Sequence, residues 1–414
     1  GRCWEFPIGA ELPARPGAVP EADVLNHPRS AQAFVAAVEP EPVNPVLAEA
    51  MRSGIAESRH RGSLAVLAAD GSLLLAAGAA GRAMFPRSSN KPMQAAAMLR
   101  CGLRLEGELL ALAAASHSGE EFHVRGVREI LRTAGLSESD LQCPPDLPLD
   151  ETARNAWLRE GGVADRVHMN CSGKHAAMLA TCVAAGWPTR AYRDPGHPLQ
   201  VQIKRVIEGL AGEPVAATGV DGCGAPLFAI SVVGLARAFR ALVLAETGSA
   251  ERAVADAMRA NPVWTSGTTR AEAAMAGAVP GLLIKSGAEG VCAFALADGR
   301  AGAVKFDDGA QRAAPPLVAE LLTRLIAAGD RAAALAGAAA AGAAAEAASM
   351  QPEGPTPAGA DLAVLAELAR PPVTGGGVPV GEIRAVLPPV HGSPPAFDPG
   401  SAPDLDTAIR KSRD

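Results

Sequence analysis

The chain has 414 residues, 48% of them hydrophobic and 20% charged, with a net charge of −6 at pH 7. That is enough apolar material for one large core or two smaller ones, which excludes a disordered chain over most of its length. The acidic balance and the lack of a basic stripe exclude a nucleic-acid surface and an anionic-membrane surface, since either needs clustered positive charge.

In chain order, residues 1–41 are proline-rich and aperiodic and are read as an irregular N-terminal arm; the regular chain begins near Pro42. Leu64-Ala65-Val66-Leu67 and Leu73-Leu74-Leu75 flank Asp70-Gly71, which predicts a hairpin. Apolar spacing predicts helices at 92–101, 107–114, 123–134, 173–185, 198–210, 226–246 and 250–260. A second hairpin is expected from Val291 to Leu296 and Ala301 to Phe306 around Asp298-Gly299, then a helix at about 316–328. Two hairpins bracketing a helical middle imply an α+β fold with an antiparallel sheet built from both chain ends. The Ala/Pro-rich low-complexity segment at about 331–360 reads as a weakly specified helix and linker. Pro371-Pro372 to Arg384 reads as a compact Gly-containing segment and 389–414 as a flexible C-terminal tail.

Seven cysteines, an odd number scattered over a long chain, do not make a disulfide framework. Free thiols point to a reducing, cytoplasmic setting, and no unbroken apolar run of about 18 residues suits a membrane span. The chain starts at Gly1 rather than methionine, which leaves a trimmed N-terminus open.

Of 38 basic residues only six are lysine, and three of those sit among small residues and nucleophiles: Ser88-Ser89-Asn90-Lys91, Cys171-Ser172-Gly173-Lys174 and Lys285-Ser286-Gly287. Arginine supplies charge equally well but keeps its proton, whereas a desolvated lysine can act as a base or ligand. If Ser88 caps the following helix, Lys91 shares its face one turn on, and a lysine lowered toward about 7–8 by burial can take the serine proton. The same spacing alone also describes a helix cap followed by a surface lysine. Lys285-Ser286-Gly287, just before the second hairpin, and Ser116-His117-Ser118, after a helix-like run, supply a lysine strand and an intermediate hydroxyl. That is the order used by serine β-lactamases and penicillin-binding proteins.

Cys171 and Cys223 are soft ligands able to converge on zinc, with Lys174 an unusual third ligand and His175 a more usual one. Spacing alone favours buried free cysteines. Asp221 can bind an ammonium group, and His168 and His123 are read as ordinary polar residues.

Six motifs in order carry a resemblance: Arg87-Ser88-x-x-Lys91-Pro92, Ala115-Ser116-His117-Ser118-x-Glu120, Asn170-Cys171-Ser172-Gly173-Lys174-His175, Asp221-Gly222-Cys223-x-x-Pro226, Lys285-x-Gly287 and Gly381-Glu382-Ile383. Over about 42–388 the chain resembles the asparaginase II family, L-asparaginases with a serine β-lactamase/DD-peptidase-like fold. The resemblance implies a catalytic domain at 42–388 and two Ser-Lys pairs, Ser88 with Lys91 and Ser116 with Lys285. It also implies a zinc held by Cys171, Lys174 and Cys223, and a homodimer.

The expected activity is hydrolysis of the side-chain amide of L-asparagine to L-aspartate and ammonia. Ser88 attacks with Lys91 as base, Ser116 and Lys285 relay the proton, and Arg87 and Asp221 meet the substrate's α-carboxylate and α-ammonium. Zinc orients rather than generates hydroxide. The rival readings are a β-lactamase- or peptidase-like serine acyl hydrolase and a non-catalytic zinc- or amino-acid-binding protein.

Overall fold

Two sequence-distant hairpins meet in one antiparallel sheet, and this pairing decides where every other element goes. The computed structural model describes residues 43–343 and 359–387; the expectations for 1–41, 389–414 and the 344–358 part of the Ala/Pro-rich segment lie outside them. The sheet comprises β1 (Val46–Arg52), β2 (Ile55–Leu67) and β3 (Leu73–Ala77) from the front of the chain. From the back come β7 (Leu283–Gly287), β8 (Val291–Ala295), β9 (Ala301–Phe306), β10 (Pro372–Gly375) and β11 (Val378–Ala385). Its order is β10-β11-β1-β2-β9-β8-β7, with β3 also on β2. The register joins the expected hairpins directly, Leu64 opposite Val304 and Ala65 opposite Ala303.

Between them run α1 (Lys91–Arg100), α2 (Gly107–Ala113), α3 (Glu121–Thr133), α4 (Glu151–Arg159), α5 (Ser172–Ala184), α6 (Pro198–Ala211), α7 (Val232–Leu244), α8 (Ala250–Ala260), α9 (Pro262–Thr265) and α10 (Ala271–Ala278). A small sheet of β4 (Ala83–Met84), β5 (Ala217–Val220) and β6 (Pro226–Ser231) interrupts them, and α11 (Ala314–Ala343) and α12 (Leu362–Ala369) follow the second hairpin. Strand residues alternate between faces, so Ala65 and Leu67 join the core under α1–α8 while Leu64 and Val66 join a second core under α10–α12. Both faces are covered, which is why β8 is buried at every position.

Most expected helices form within two residues of their predicted ends. The helix expected at 226–246 does not: 226–231 is β6, buried throughout and paired with both β4 and β5. The helix starts only at Val232, where Ser231 Oγ accepts a hydrogen bond from the Gly234 amide. A continuous apolar run suits a buried strand and a buried helix equally, and pairing partners decided the matter. Lys285-Ser286-Gly287 precedes the first strand of the second hairpin, as expected, and itself ends a further strand, β7, paired with β8 at the end of the sheet order. Helices α4, α9, α10 and α12 lie outside the expected set. No helix among the described residues is long and apolar enough to cross a membrane.

Candidate active site

Ser88 sits in a 3₁₀ turn, Arg87–Asn90, that leads into α1. It is not the expected cap: the residue before the α-helix is Asn90, and no side chain caps it. The turn is pinned to β7, because Ser89 Oγ donates to the Lys285 carbonyl at 2.9 Å. Gly287 makes this approach possible; a Cβ there would lie 2.6 Å from Pro86 O and 3.2 Å from Ser88 N. The preceding residue, Arg87, holds φ +50°, a left-handed conformation that is strained for a side-chain-bearing residue.

Lys91, at the head of α1, is buried and crosses to the segment after α2. Its Nζ donates to Ala115 O at 2.5 Å and Ser116 Oγ at 2.9 Å. Lys285 Nζ reaches the same oxygen from β7 at 2.9 Å and also donates to Ser286 O at 2.7 Å. Among the described residues no hydrogen bond joins Ser88 Oγ to Lys91. The two expected pairs are therefore one three-membered cluster, Lys91–Ser116–Lys285, with the partly exposed Ser88 beside it on the strapped turn. Burying an ammonium costs several kcal/mol, and two on one oxygen repel. Burial first, then the charge of Lys91, lowers Lys285 to about 7, with Glu272 opposing.

Ser116 is held from three sides. Its amide donates to Thr265 O at 3.1 Å and the His117 amide to Asn170 O at 3.1 Å, while Ser118 Oγ donates to Ser266 O at 2.8 Å. His117 Nδ1 accepts from the Gly119 amide at 3.1 Å, so Nε2 carries the proton and donates to Ser172 Oγ at 2.7 Å. Burial, then the neighbouring His123, Lys91 and His168, keeps His117 well below the ordinary imidazole range, hence neutral. His123 donates to Val263 O and His168 pairs with Asp165, both structural roles as expected.

Arg87 and Asp221 engage one another, Nε to Oδ1 at 2.8 Å, with Glu289 3.7 Å from the guanidinium. They were expected as separate contacts for opposite ends of a substrate; the structure gives a single ion pair at the edge of the site.

The sulfur cluster assembles where α5 begins. Donor atoms of Cys171, Asp221 and Cys223 lie within 4.8 Å of one another, and Lys174 Nζ is 3.0 Å from Cys223 Sγ. The hydrogen bond from the Cys171 side chain, ahead of the Lys174 charge, pulls the Cys223 thiol far below its usual range and pushes Cys171 up. His175 Nδ1 is 2.7 Å from the Tyr192 hydroxyl, while its buried Nε2 has no hydrogen-bond partner within bonding distance; Cys223 is its neighbour. Two sulfurs, of which Cys223 is held as the thiolate, a carboxylate and an orphaned imidazole nitrogen form a donor set that suits zinc. Against burial, Cys223, Cys171 and Asp221 keep the Lys174 amine protonated, so it would join the set only by losing that proton.

Of Ser89, Thr265 and Asn170, which position these groups, Thr265 gives no cue in the sequence, whereas Ser89 stands next to Ser88 and Asn170 opens the Cys171 motif.

Comparison with curated proteins returns no match. Among solved structures the chain is similar to Mglu in its native form, at 17% identity over 64% of this chain and 65% of that one, TM-score 0.33. It is similar to a β-lactamase from Mycobacterium bovis at 16% identity over 60% and 88%, TM-score 0.33. It is also similar to EstCE1, a hydrolase with promiscuous acyltransferase activity, at 15% identity over 59% and 88%, TM-score 0.32. The match spans just under two thirds of the length of Mglu. The family model for L-asparaginase II matches residues 48–354, a stretch that holds the lysine–serine cluster, the Arg87–Asp221 pair and the sulfur cluster. The chain belongs to the L-asparaginase II family.

Proposed function

We propose that the chain hydrolyses the side-chain amide of L-asparagine to L-aspartate and ammonia through a serine ester. The observation that carries this reading is the convergence of Lys91 and Lys285 on Ser116 Oγ, each at 2.9 Å, beside a more open serine. Ser116 is 9% exposed and its oxygen is occupied by two lysines, which suits a relay; Ser88 is the more accessible hydroxyl, which suits the nucleophile. Neutral Lys285 takes the Ser116 proton, charged Lys91 replaces it on Ser116 Oγ, and the Lys91 amine so freed takes the Ser88 proton as Ser88 Oγ bonds to the amide carbon. Ser116 passes a proton to the departing nitrogen and is resupplied through the lysines. Ammonia leaves, an aspartyl ester remains on Ser88, and water reverses the sequence. The Ser88 amide, facing the Gly287 edge of β7, is placed to donate to the developing oxyanion, worth about 3 kcal/mol for a well-aimed donor. Arg87 receives the substrate α-carboxylate and Asp221 the α-ammonium, their mutual ion pair opening around the zwitterion.

Cys171, Lys174 and Cys223 would hold zinc, with Lys174 giving up its proton as ligand. Bound there, the metal neutralises the thiolates and fixes the loop that carries Asp221. As purified, the protein is expected to contain about one zinc per chain by elemental analysis, and Cys223→Ser to lower that content at least about tenfold. Equal zinc in both proteins removes the site.

The reaction is tested by ammonia release from L-asparagine and L-glutamine, beside acylation by a penicillin. Turnover of asparagine without a stable penicilloyl adduct supports the reading. Penicilloyl-enzyme formation without ammonia points to a β-lactamase-like acyl hydrolase, and amino-acid binding without turnover to a binding protein.

A further inference from the structure

The strand that carries Lys285 has a second polar site on its other face. Successive strand residues face opposite sides of a sheet, so Lys285 meets Ser116 while Ile284 and Ser286 face α10 and α11. There a cavity of about 170 Å³ opens over β7 and β8, where Ser286 pairs with Cys292. Its polar lining is Thr269, Arg270, Glu272, Ser286 and Gln311, and the starts of α10 and α11 form its walls.

The lining is charged without an evident structural need. The Glu272 side chain is 11% exposed and that of Arg270 33%, with Nη2 3.1 Å from Oε1 and Nε 3.4 Å from Oε2. Desolvating such a pair costs several kcal/mol, and apolar residues of similar volume often serve stability as well or better. Among the described residues, the hydrogen bonds recorded for the Arg270 guanidinium go to Glu272 alone, leaving Nη1 available. Ser286 neighbours the Glu272 carboxylate, and burial is outweighed by Arg270, then by Ser286, so that this carboxyl is held below its usual range, at about 2.

Size narrows the ligand. At about 170 Å³ the cavity is well below the roughly 300 Å³ that a drug-sized ligand needs. An occupant must be small and must offer an anion to Arg270 and a cation to Glu272 within a few bonds of each other. A zwitterionic α-amino acid meets both conditions.

We propose that this cavity is a second, non-catalytic site for a small zwitterionic amino acid, its carboxylate on Arg270 and its ammonium on Glu272 and Ser286. The site lies one residue from the amine of the lysine–serine cluster, since the Ser286 carbonyl accepts from Lys285 Nζ at 2.7 Å. It stands independently of the asparaginase reading, because the test reads binding and not turnover.

Equilibrium dialysis of the full chain against radiolabelled L-aspartate tests it, with Glu272→Gln and Ala271→Phe as variants and succinate, which lacks the ammonium, as competitor. Glu272→Gln removes one charge at nearly constant shape, and Ala271→Phe adds bulk to the cavity wall from α10 while keeping both charges. Circular dichroism and melting temperature identify which variants are folded. Glu272 also faces the charge of Lys285, so aspartate held near Ser88 is controlled by Ala271→Phe, which keeps every charge in place. The expected result is a fraction of bound aspartate that succinate does not displace and that either folded variant weakens at least tenfold. Binding that is equal in wild type and folded variants, or fully displaced by succinate, overturns the proposal. If neither variant folds, the stoichiometry on the wild type decides: two aspartates bound per chain support the second site and one overturns it.

Discussion

Ser88→Ala is expected to lower kcat/KM for L-asparagine by about 10³-fold or more, the scale on which loss of a nucleophile is felt. Ser116→Ala is expected to cost about 10²–10⁴-fold, the range for a proton-transfer group. The two variants differ in kind as well as degree. In wild type and in Ser116→Ala, acid quenching during turnover should trap an aspartyl ester on the peptide that contains Ser88, and in Ser88→Ala it should trap none. The physical basis is the division of labour in the cluster: Ser116 is buried with both lysine amines on its oxygen, whereas Ser88 lies on a strained 3₁₀ turn held against β7 by Ser89. An ester found on the Ser116 peptide would reverse the roles. Retention of more than about a tenth of turnover by Ser88→Ala would remove the serine ester altogether.

The second large effect belongs to Lys285. Burial and the neighbouring Lys91 hold its amine at about 7, well below the usual lysine range. The neutral form is the one able to receive a proton from Ser116, so the reactive fraction is full above that pH and falls about tenfold per unit below it. The acid limb of kcat/KM should therefore lie near 7 and disappear in no variant that keeps a titrating amine here. Lys285→Arg keeps the positive charge but cannot release it, and the expected loss is about 10²–10⁴-fold at every pH. A Lys285→Arg enzyme with near wild-type rates, or a wild-type profile flat from pH 6 to 8, would show that the lysine acts only as a fixed charge. Glu272 lies on the opposite face of β7 and supports the charged form, so Glu272→Gln should move the acid limb to lower pH. Removing a nearby anion favours the neutral amine.

The sequence made the parts legible and left their pairing open. Asp70-Gly71 and Asp298-Gly299 marked both hairpins because a two-stranded turn needs residues that tolerate positive φ, and both glycines adopt it. The run 226–246 failed because its apolar residues carry no period that separates strand from helix; pairing with the neighbouring β5 and with β4, far away in sequence, made the first six residues a strand. The helix α10 and its Arg270–Glu272 pair gave no cue, since alanine-rich segments fit any face.

By itself, the sequence determined which chemical groups are present and much of the local structure: the hairpins, most helices, the scarce lysines and the family motifs. These depend on neighbours a few residues apart, where turn chemistry and helical spacing operate. Only the tertiary structure decided that Lys91 and Lys285 share Ser116, that Arg87 holds Asp221, and that Cys171 meets Cys223. The partners of Ser116 lie 25 and 169 residues away, and a lysine's long flexible stem can reach several acceptors from one backbone position. Which acceptor it finds depends on how the sheet brings the two ends of the chain together.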